Sequence, residues 1–187
     1  MSRWEPDARG RLERAALDLF VEHGFDQVTV PEITARAGLT TRTFFRHFTD
    51  KREVLFADAN RMPALAARLV LDAPTGLGPA DVLIQGLAEL ASVGFEGRLH
   101  ELVQRQAIVD GHDGLREREL HKMETLVEAI ADAFCQRGVD ELTAAVVAET
   151  SVGIVKVALR RWMESCGSEQ LPDLMARSLQ TLRDVFA

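Results

Sequence analysis

From Leu12 onward, apolar residues recur three and four positions apart and are interrupted at Gly or Pro, which is the signature of amphipathic helices. Leu12, Ala16, Leu19 and Phe20 put one apolar face on a helix from about Asp7 to His23, with Gly24 as its stop. Thr29 with Pro31 and Glu32 behind it is a capping-box start for a short second helix that ends at Gly38. After a turn at Gly38 and Leu39, Thr40 or Thr41 caps a third helix through about Phe48. Asp50–Glu53 repeats the cap pattern for a fourth helix, expected to continue through Leu55, Met62, Leu65 and Leu69 to about Leu71. Gly and Pro cluster at Ala73–Pro79, the clearest break. Beyond it the pattern predicts helices near 79–94, 98–110, 114–137, 140–166 and 172–186. No alternating run bounded by hairpin turns is present, so the expected fold is all-α with about nine helices. Its second and third helices are joined closely enough for a helix-turn-helix. The expected division is a small module over residues 1–52 and a larger helical body over 53–187.

Composition adds a compartment and a partner. Of the 187 residues, 47% are hydrophobic and 27% charged, ordinary values for a globular chain. No apolar run approaches the roughly 20 residues that span a bilayer, and the N-terminus has no apolar h-region. The expectation is a cytoplasmic protein with no membrane association. Two cysteines, Cys135 and Cys166, are too few for a disulfide framework and are expected to be buried or half-buried thiols. The formal charge of −7 would by itself argue against nucleic acid. Its distribution reverses that inference. Arg36, Arg42, Arg46, Lys51 and Arg52 face only Glu32 and Asp50 between Val28 and Arg52, a basic island in an acidic chain.

On a helical wheel, Phe44 and Phe48 share one side of the third helix with Leu39 beneath them, while Arg42, Thr43, Phe45 and Arg46 fan across the other. Such a helix suits a DNA major groove. Arg can pair with guanine N7 and O6, Thr can meet phosphate or a thymine methyl, and Lys51 and Arg52 could clamp flanking phosphates. His47 could either pack or donate to phosphate.

Phe20–Asp58 resembles the DNA-binding module of the TetR family of bacterial transcriptional repressors. The resemblance is carried by "GF…T" at the entry, "IT…AGL" through the second helix and turn, and "TFFRHF" with a lysine three residues beyond. It implies that Thr29 and Thr40 cap helices, that Thr41, Arg42, Thr43, Phe45, Arg46 and His47 form the reading face, and that Lys51 takes a flanking phosphate. Where the family usually has tyrosine, Phe45 offers van der Waals contact only. Arg42 replaces a residue that is often small or neutral and is the best candidate for distinctive base readout.

The helix expected from Asp140 to Gly167 is apolar on several sides and so is expected to be buried on several sides. The resemblance implies a homodimer through the last two helices, two reading heads on a palindromic double-stranded operator, and a ligand-released repressor. It also implies a pocket among the middle helices. The candidate lining residues are Phe95, Leu99, His100, Leu102, Val103, Gln106, Met123, Val127, Glu149 and Trp162, and the expected effector is small and apolar or amphipathic. No cofactor is implied. Two other readings stay open: a DNA-binding regulator with no small-molecule effector, and a metal-dependent helical enzyme built on His112, Asp113, Glu117, His121 and Glu124. The second lacks the ligand spacing of a metal site, and no catalytic motif such as a nucleophile elbow or Gly-rich phosphate loop appears.

Overall fold

A computed structural model of the chain describes residues 7–93, 95 and 97–186. Those residues form nine α-helices: α1 (Ala8–His23), α2 (Val30–Ala37), α3 (Thr41–His47), α4 (Met62–Asp72), α5 (Pro79–Val93), α6 (Leu99–Asp110), α7 (Asp113–Gln136), α8 (Glu141–Glu164) and α9 (Leu171–Phe186). The expected fourth helix from Asp50 to Leu71 is instead two pieces, a 3₁₀ turn at Glu53–Phe56 and then α4. Pro63 explains the interruption. It stands in the first turn of α4, where it offers no N–H and its ring would collide with the carbonyl one turn earlier.

The helices gather into two compact units. One runs to Asp58 and includes Val103–Glu119; the other holds Ala59–Leu102 and the chain from Leu120 onward. The second is built on two clusters. In one, Leu83 and Leu87 of α5 meet Phe95, the Ile154, Ala158 and Trp162 face of α8, and Leu171, Leu174 and Met175 of α9. In the other, Val70 of α4, Val82 of α5 and Ile130, Ala133 and Phe134 of α7 pack on Ala144, Ala148 and Val152 of α8. Ala144 and Ala148 carry no side chain beyond a methyl, which leaves room on that side of α8 for the large Phe134 ring of the same cluster. Arg137, just past α7, holds the end of α4 by donating to the Val70, Ala73 and Pro74 carbonyls at 3.1, 2.6 and 2.9 Å. Those carbonyls lie where a helix has run out of its own N–H partners.

One expectation is corrected here. Cys135 and Cys166 are both exposed: Cys135 follows Phe134 on α7, which takes the core side, and Cys166 lies in the α8–α9 turn with φ 50°. Helix α8 is long and apolar enough, by length and composition, to cross a membrane. Glu149 and Lys156 interrupt the run without lowering its mean hydropathy enough to fail that test, and a core helix passes it equally.

Phe134 is 1% exposed, so Phe134→Ala is expected to cost about 3–5 kcal/mol, read by chemical denaturation. A loss under about 1 kcal/mol would show that the cluster relaxes around the cavity.

Candidate nucleic-acid interface

The first unit starts from α1, whose Leu12, Ala15, Ala16, Leu19 and Phe20 are buried. Gly24 ends it at φ 81°, a conformation that costs a residue with a Cβ about 1 kcal/mol or more. Phe25 and Val28 then turn inward, with the Phe20 and Phe25 rings 5.0 Å apart. Helix α2 begins as its sequence dictates. The Thr29 N–H and hydroxyl both donate to Glu32 Oε2, at 2.8 and 2.7 Å, and hydrogen bonds from Thr29 hold the Glu32 carboxyl below its usual range. Gly38 closes α2 at φ 64°, and Leu39 N–H donates back to the Thr34 carbonyl at 2.8 Å. Arg11 Nη2 donates to the Ala37 carbonyl at 2.6 Å, fixing this turn to α1.

Helix α3 is capped by Thr40, whose hydroxyl accepts from Thr43 N–H at 3.1 Å and lies 3.0 Å from Thr43 Oγ1. Phe44 and Phe48 are buried, rings 5.5 Å apart, and the Arg9 guanidinium covers Phe48 at 5.2 Å. The opposite side is open. Thr41, Arg42, Phe45 and Arg46 are exposed, Phe45 at 59%, and the Phe45 ring meets Phe44 edge-on at 5.4 Å. Thr43 is half-buried. His47 is also half-buried, and its Nε2 is enclosed with no hydrogen-bond partner among the described residues. That atom faces the protein, away from the open side.

The basic island divides in two. Arg36 forms a bidentate pair with Glu22 at 2.9 and 2.7 Å, which raises the arginine and lowers the glutamate from their usual pKa values. Lys51, expected at a phosphate, instead donates to the Phe25, Asp26 and Val28 carbonyls at 2.8, 3.1 and 2.9 Å. Arg42, Arg46 and Arg52 have exposed side chains with no hydrogen bond or ion pair among the described residues. The sequence does not show Glu22 as the partner of Arg36, because the two are fourteen positions apart and share no local periodicity.

Asp50 caps the 3₁₀ turn, accepting from Arg52 and Glu53 N–H at 2.7 and 3.1 Å. Arg118 reaches it at 3.2 Å and reaches Glu53 Oε1 at 3.0 Å. Burial pushes the Asp50 carboxyl up, but the two N–H groups and the Arg118 guanidinium outweigh that and hold it below its ordinary value. Arg105 likewise donates to the Leu55 carbonyl at 2.6 Å, pairs with Glu119 at 2.9 Å and covers Phe56.

The nominated pocket residues do not form one group. Phe95, Leu99, Leu102 and Trp162 belong to the α5–α8–α9 cluster, and Met123 and Val127 pack on the α4–α7–α8 cluster. Val103 and Gln106 lie in the first unit, where Gln106 bonds Asp110 and Glu119 at 2.9 and 3.3 Å. His100 and Glu149 point to solvent. A concavity of about 330 Å³ lies elsewhere, between α4 and α5, lined by Leu65, Arg68, Leu69, Asp72, Ala73, Pro74, Gln85, Gly86 and Glu89. The histidines considered for a metal separate as well: His112 lies 3.7 Å from Asp26, and His121 lies 3.7 Å from Glu124 on an exposed face.

Comparison with known proteins decides the family. Residues 13–57 match the model of bacterial regulatory proteins of the tetR family, and residues 77–187 match the MftR C-terminal domain. The chain belongs to the TetR family. The HTH-type transcriptional regulator TcmR of Streptomyces glaucescens is 30% identical over 140 residues, 71% of this chain and 61% of TcmR. The chain thus spans less than two thirds of that relative. An uncharacterized HTH-type regulator of Mycobacterium tuberculosis is 26% identical over 159 residues, 73% of this chain and 84% of its own. Among solved structures, the TetR-family repressor FadR of Thermus thermophilus, in complex with lauroyl-CoA, has a TM-score of 0.55 at 24% identity, covering 93% of this chain and 92% of its own. SmeT, the repressor of a Stenotrophomonas maltophilia multidrug efflux pump, has a TM-score of 0.60 at 21% identity, covering 91% and 86%. At these identities the solved structures share the TetR fold and nothing further is carried over.

Two measurements test this TetR-family head. Phe44→Ala is expected to cost about 3–5 kcal/mol and Phe45→Ala within about 0.5 kcal/mol, both by denaturation, although the residues are adjacent. The stability that Asp50 contributes should be complete above the ordinary aspartate pKa of about 3.9 and be lost as pH falls through its lower folded value. Asp50→Asn should therefore flatten the acid limb of a stability–pH profile, and an unchanged limb would contradict that role.

Proposed function

We propose that this TetR-family chain is a sequence-specific, DNA-binding transcriptional regulator and a repressor, acting as a cytoplasmic homodimer. The observation that carries the reading is the open face of α3. Thr41, Arg42, Phe45 and Arg46 are exposed there, both guanidinium groups lack partners among the described residues, and buried Phe44 and Phe48 hold the helix from behind. Exposed and unpaired, each guanidinium keeps its five donors available to a planar acceptor such as a base edge or a phosphate. Arg42 is assigned to a base edge, Arg46 to a base or the adjacent phosphate, Thr41 to the backbone and Phe45 to apolar contact with a thymine methyl. Thr29, Thr40 and Thr43 shape the helix starts. His47, with Nε2 turned inward, supports the C-terminal end of α3.

The second copy is assigned to α8 and α9. Leu142, Val146 and Val157 are 75%, 56% and 57% exposed and fall, with Gly153 between, on one side of α8. Val185 on α9 is 70% exposed. These aliphatic residues share their side of α8 with exposed Glu149, Lys156 and Arg160, and such a mixed face suits a two-fold dimer, which would present two heads to successive major grooves about 34 Å apart. The effector is assigned to the apolar or amphipathic class, by analogy with the lauroyl-CoA held by FadR and the triclosan held by SmeT. A regulator with no small-molecule effector is the second reading. It is favoured by the nominated lining residues, which are divided between two packed clusters.

Selection from random double-stranded DNA should return a palindrome, and Arg42→Ala should change the preferred base at particular positions within it. Unselective binding by the wild type, or equal loss on every sequence for Arg42→Ala, would overturn the reading or the Arg42 assignment respectively. A thermal-shift screen of acyl thioesters and hydrophobic drugs separates the two regulatory readings, since only a ligand bound by the native state raises stability.

A further inference from the structure

The residue placed by family resemblance on a flanking phosphate has no donor left to give one. An ammonium carries three N–H donors and no acceptor. All three of Lys51's fall on carbonyls, those of Phe25, Asp26 and Val28, at 2.8, 3.1 and 2.9 Å. The Nζ also lies 4.6 Å from the Phe25 ring centre, over its face, and the side chain is only half-exposed. A phosphate could be taken only by giving up one of those bonds and uncovering part of the site. The next residue differs in each respect: the Arg52 side chain is exposed and has no partner among the described residues.

We propose that Lys51 is a positioning residue, a latch on the α1–α2 loop, and that Arg52 supplies the phosphate contact; this rests on the DNA-binding reading above. The three carbonyls belong to the loop between Gly24 and Thr29, which sets where α2 begins, while Lys51 itself follows α3. Its ammonium therefore closes a ring of 23 to 26 residues that contains the whole helix-turn-helix pair. The same loop is held on another side by His112, whose ring meets Phe25 at 5.2 Å and lies 3.7 Å from Asp26 through Nε2. His112 Nδ1 is engaged at 2.8 Å with the Ile108 carbonyl. The loop is thus clamped between the exit of α3 and the α6–α7 turn, and the orientation of α3 depends on a cation that does not touch the ligand.

The test combines three readouts. In the wild type, ¹H–¹⁵N NMR of the Lys51 ammonium should show slowly exchanging protons that mixed-sequence duplex DNA leaves in place. Lys51→Met should speed amide exchange in residues 24–29 by at least about tenfold, the lower factor for a single charge-assisted hydrogen bond where three are lost. The same variant should weaken DNA binding with an unchanged slope of log affinity against log salt. Lys51→Arg keeps the charge but cannot bring three donors to one point from a planar guanidinium, so it should not restore the protection. Arg52→Ala should lower the salt slope by about 0.9 per reading head and leave loop exchange alone. A slope reduction of that size in Lys51→Met, or a DNA-induced shift of the Lys51 ammonium, would overturn the latch. An unchanged slope in Arg52→Ala would overturn the phosphate assignment. If the wild type fails to bind duplex DNA at low salt, the DNA reading and the Arg52 role fall together, while loop exchange without DNA still decides the latch.

Discussion

Everything displayed by the first unit depends on the burial of two phenylalanines. Helix α3 has seven residues, two turns, well below the length at which a helix persists alone in water. It exists because Phe44 and Phe48, one turn apart, are 0% and 4% exposed. Each buried ring contributes on the order of 2–3 kcal/mol, and Thr40 adds about 1 kcal/mol by capping. The exposed residues contribute little to this balance. Thr41, Arg42, Phe45 and Arg46 are therefore free to be chosen for what they meet outside, and their directions are as rigid as the rings behind them.

The charges follow a similar division between support and display. Glu22 takes up Arg36, Glu32 takes up Thr29, and Asp50 takes up two backbone N–H groups together with Arg118. These three acids thus spend their charge within the protein, at a helix start or on a cation that is not displayed. Arg42, Arg46 and Arg52 have no hydrogen bond or ion pair from their side chains among the described residues. A chain with a formal charge of −7 can present a locally positive face because the field near a surface is set by unneutralised groups within about a Debye length, roughly 8 Å at physiological salt, and much less by the total.

What the sequence made legible was local. Thr29 with Glu32, Gly38 and Thr40 all act within four positions, and each marks a helix end where the structure has one. The aromatic side of α3 was legible for the same reason, since Phe44 and Phe48 share a face by spacing alone. Pro63 was also legible, yet the apolar spacing of Leu55, Met62 and Leu65 hid the break that its ring imposes. The role of Lys51 was not legible. Its partners stand 23 to 26 residues away and are backbone carbonyls, which have no sequence identity to read. The grouping of Val103–Glu119 with the first unit, through pairs such as Arg118 with Asp50, leaves no periodic trace either. Pocket residues nominated by apolar spacing met the same limit, because the spacing that lines a cavity also fills a core.

Helix α8 shows why composition alone cannot assign a helix its surroundings. Its apolar content would suit a bilayer as well as a protein interior. The inner side is accounted for by Ala144, Ala148, Val152, Ile154, Ala158 and Trp162, all buried. The outer side mixes Leu142, Val146 and Val157 with exposed Glu149, Lys156 and Arg160. In hydrocarbon, a charged residue near the centre of a spanning helix costs about 2.5–3.5 kcal/mol on insertion scales. Against a second copy of the same strip, those charges can reach water at the rim or pair with one another, while the aliphatic residues and Gly153 supply close apolar contact. The arrangement of charge along the exposed side therefore fits a protein partner better than lipid, and it favours the two-fold pairing proposed for α8 and α9.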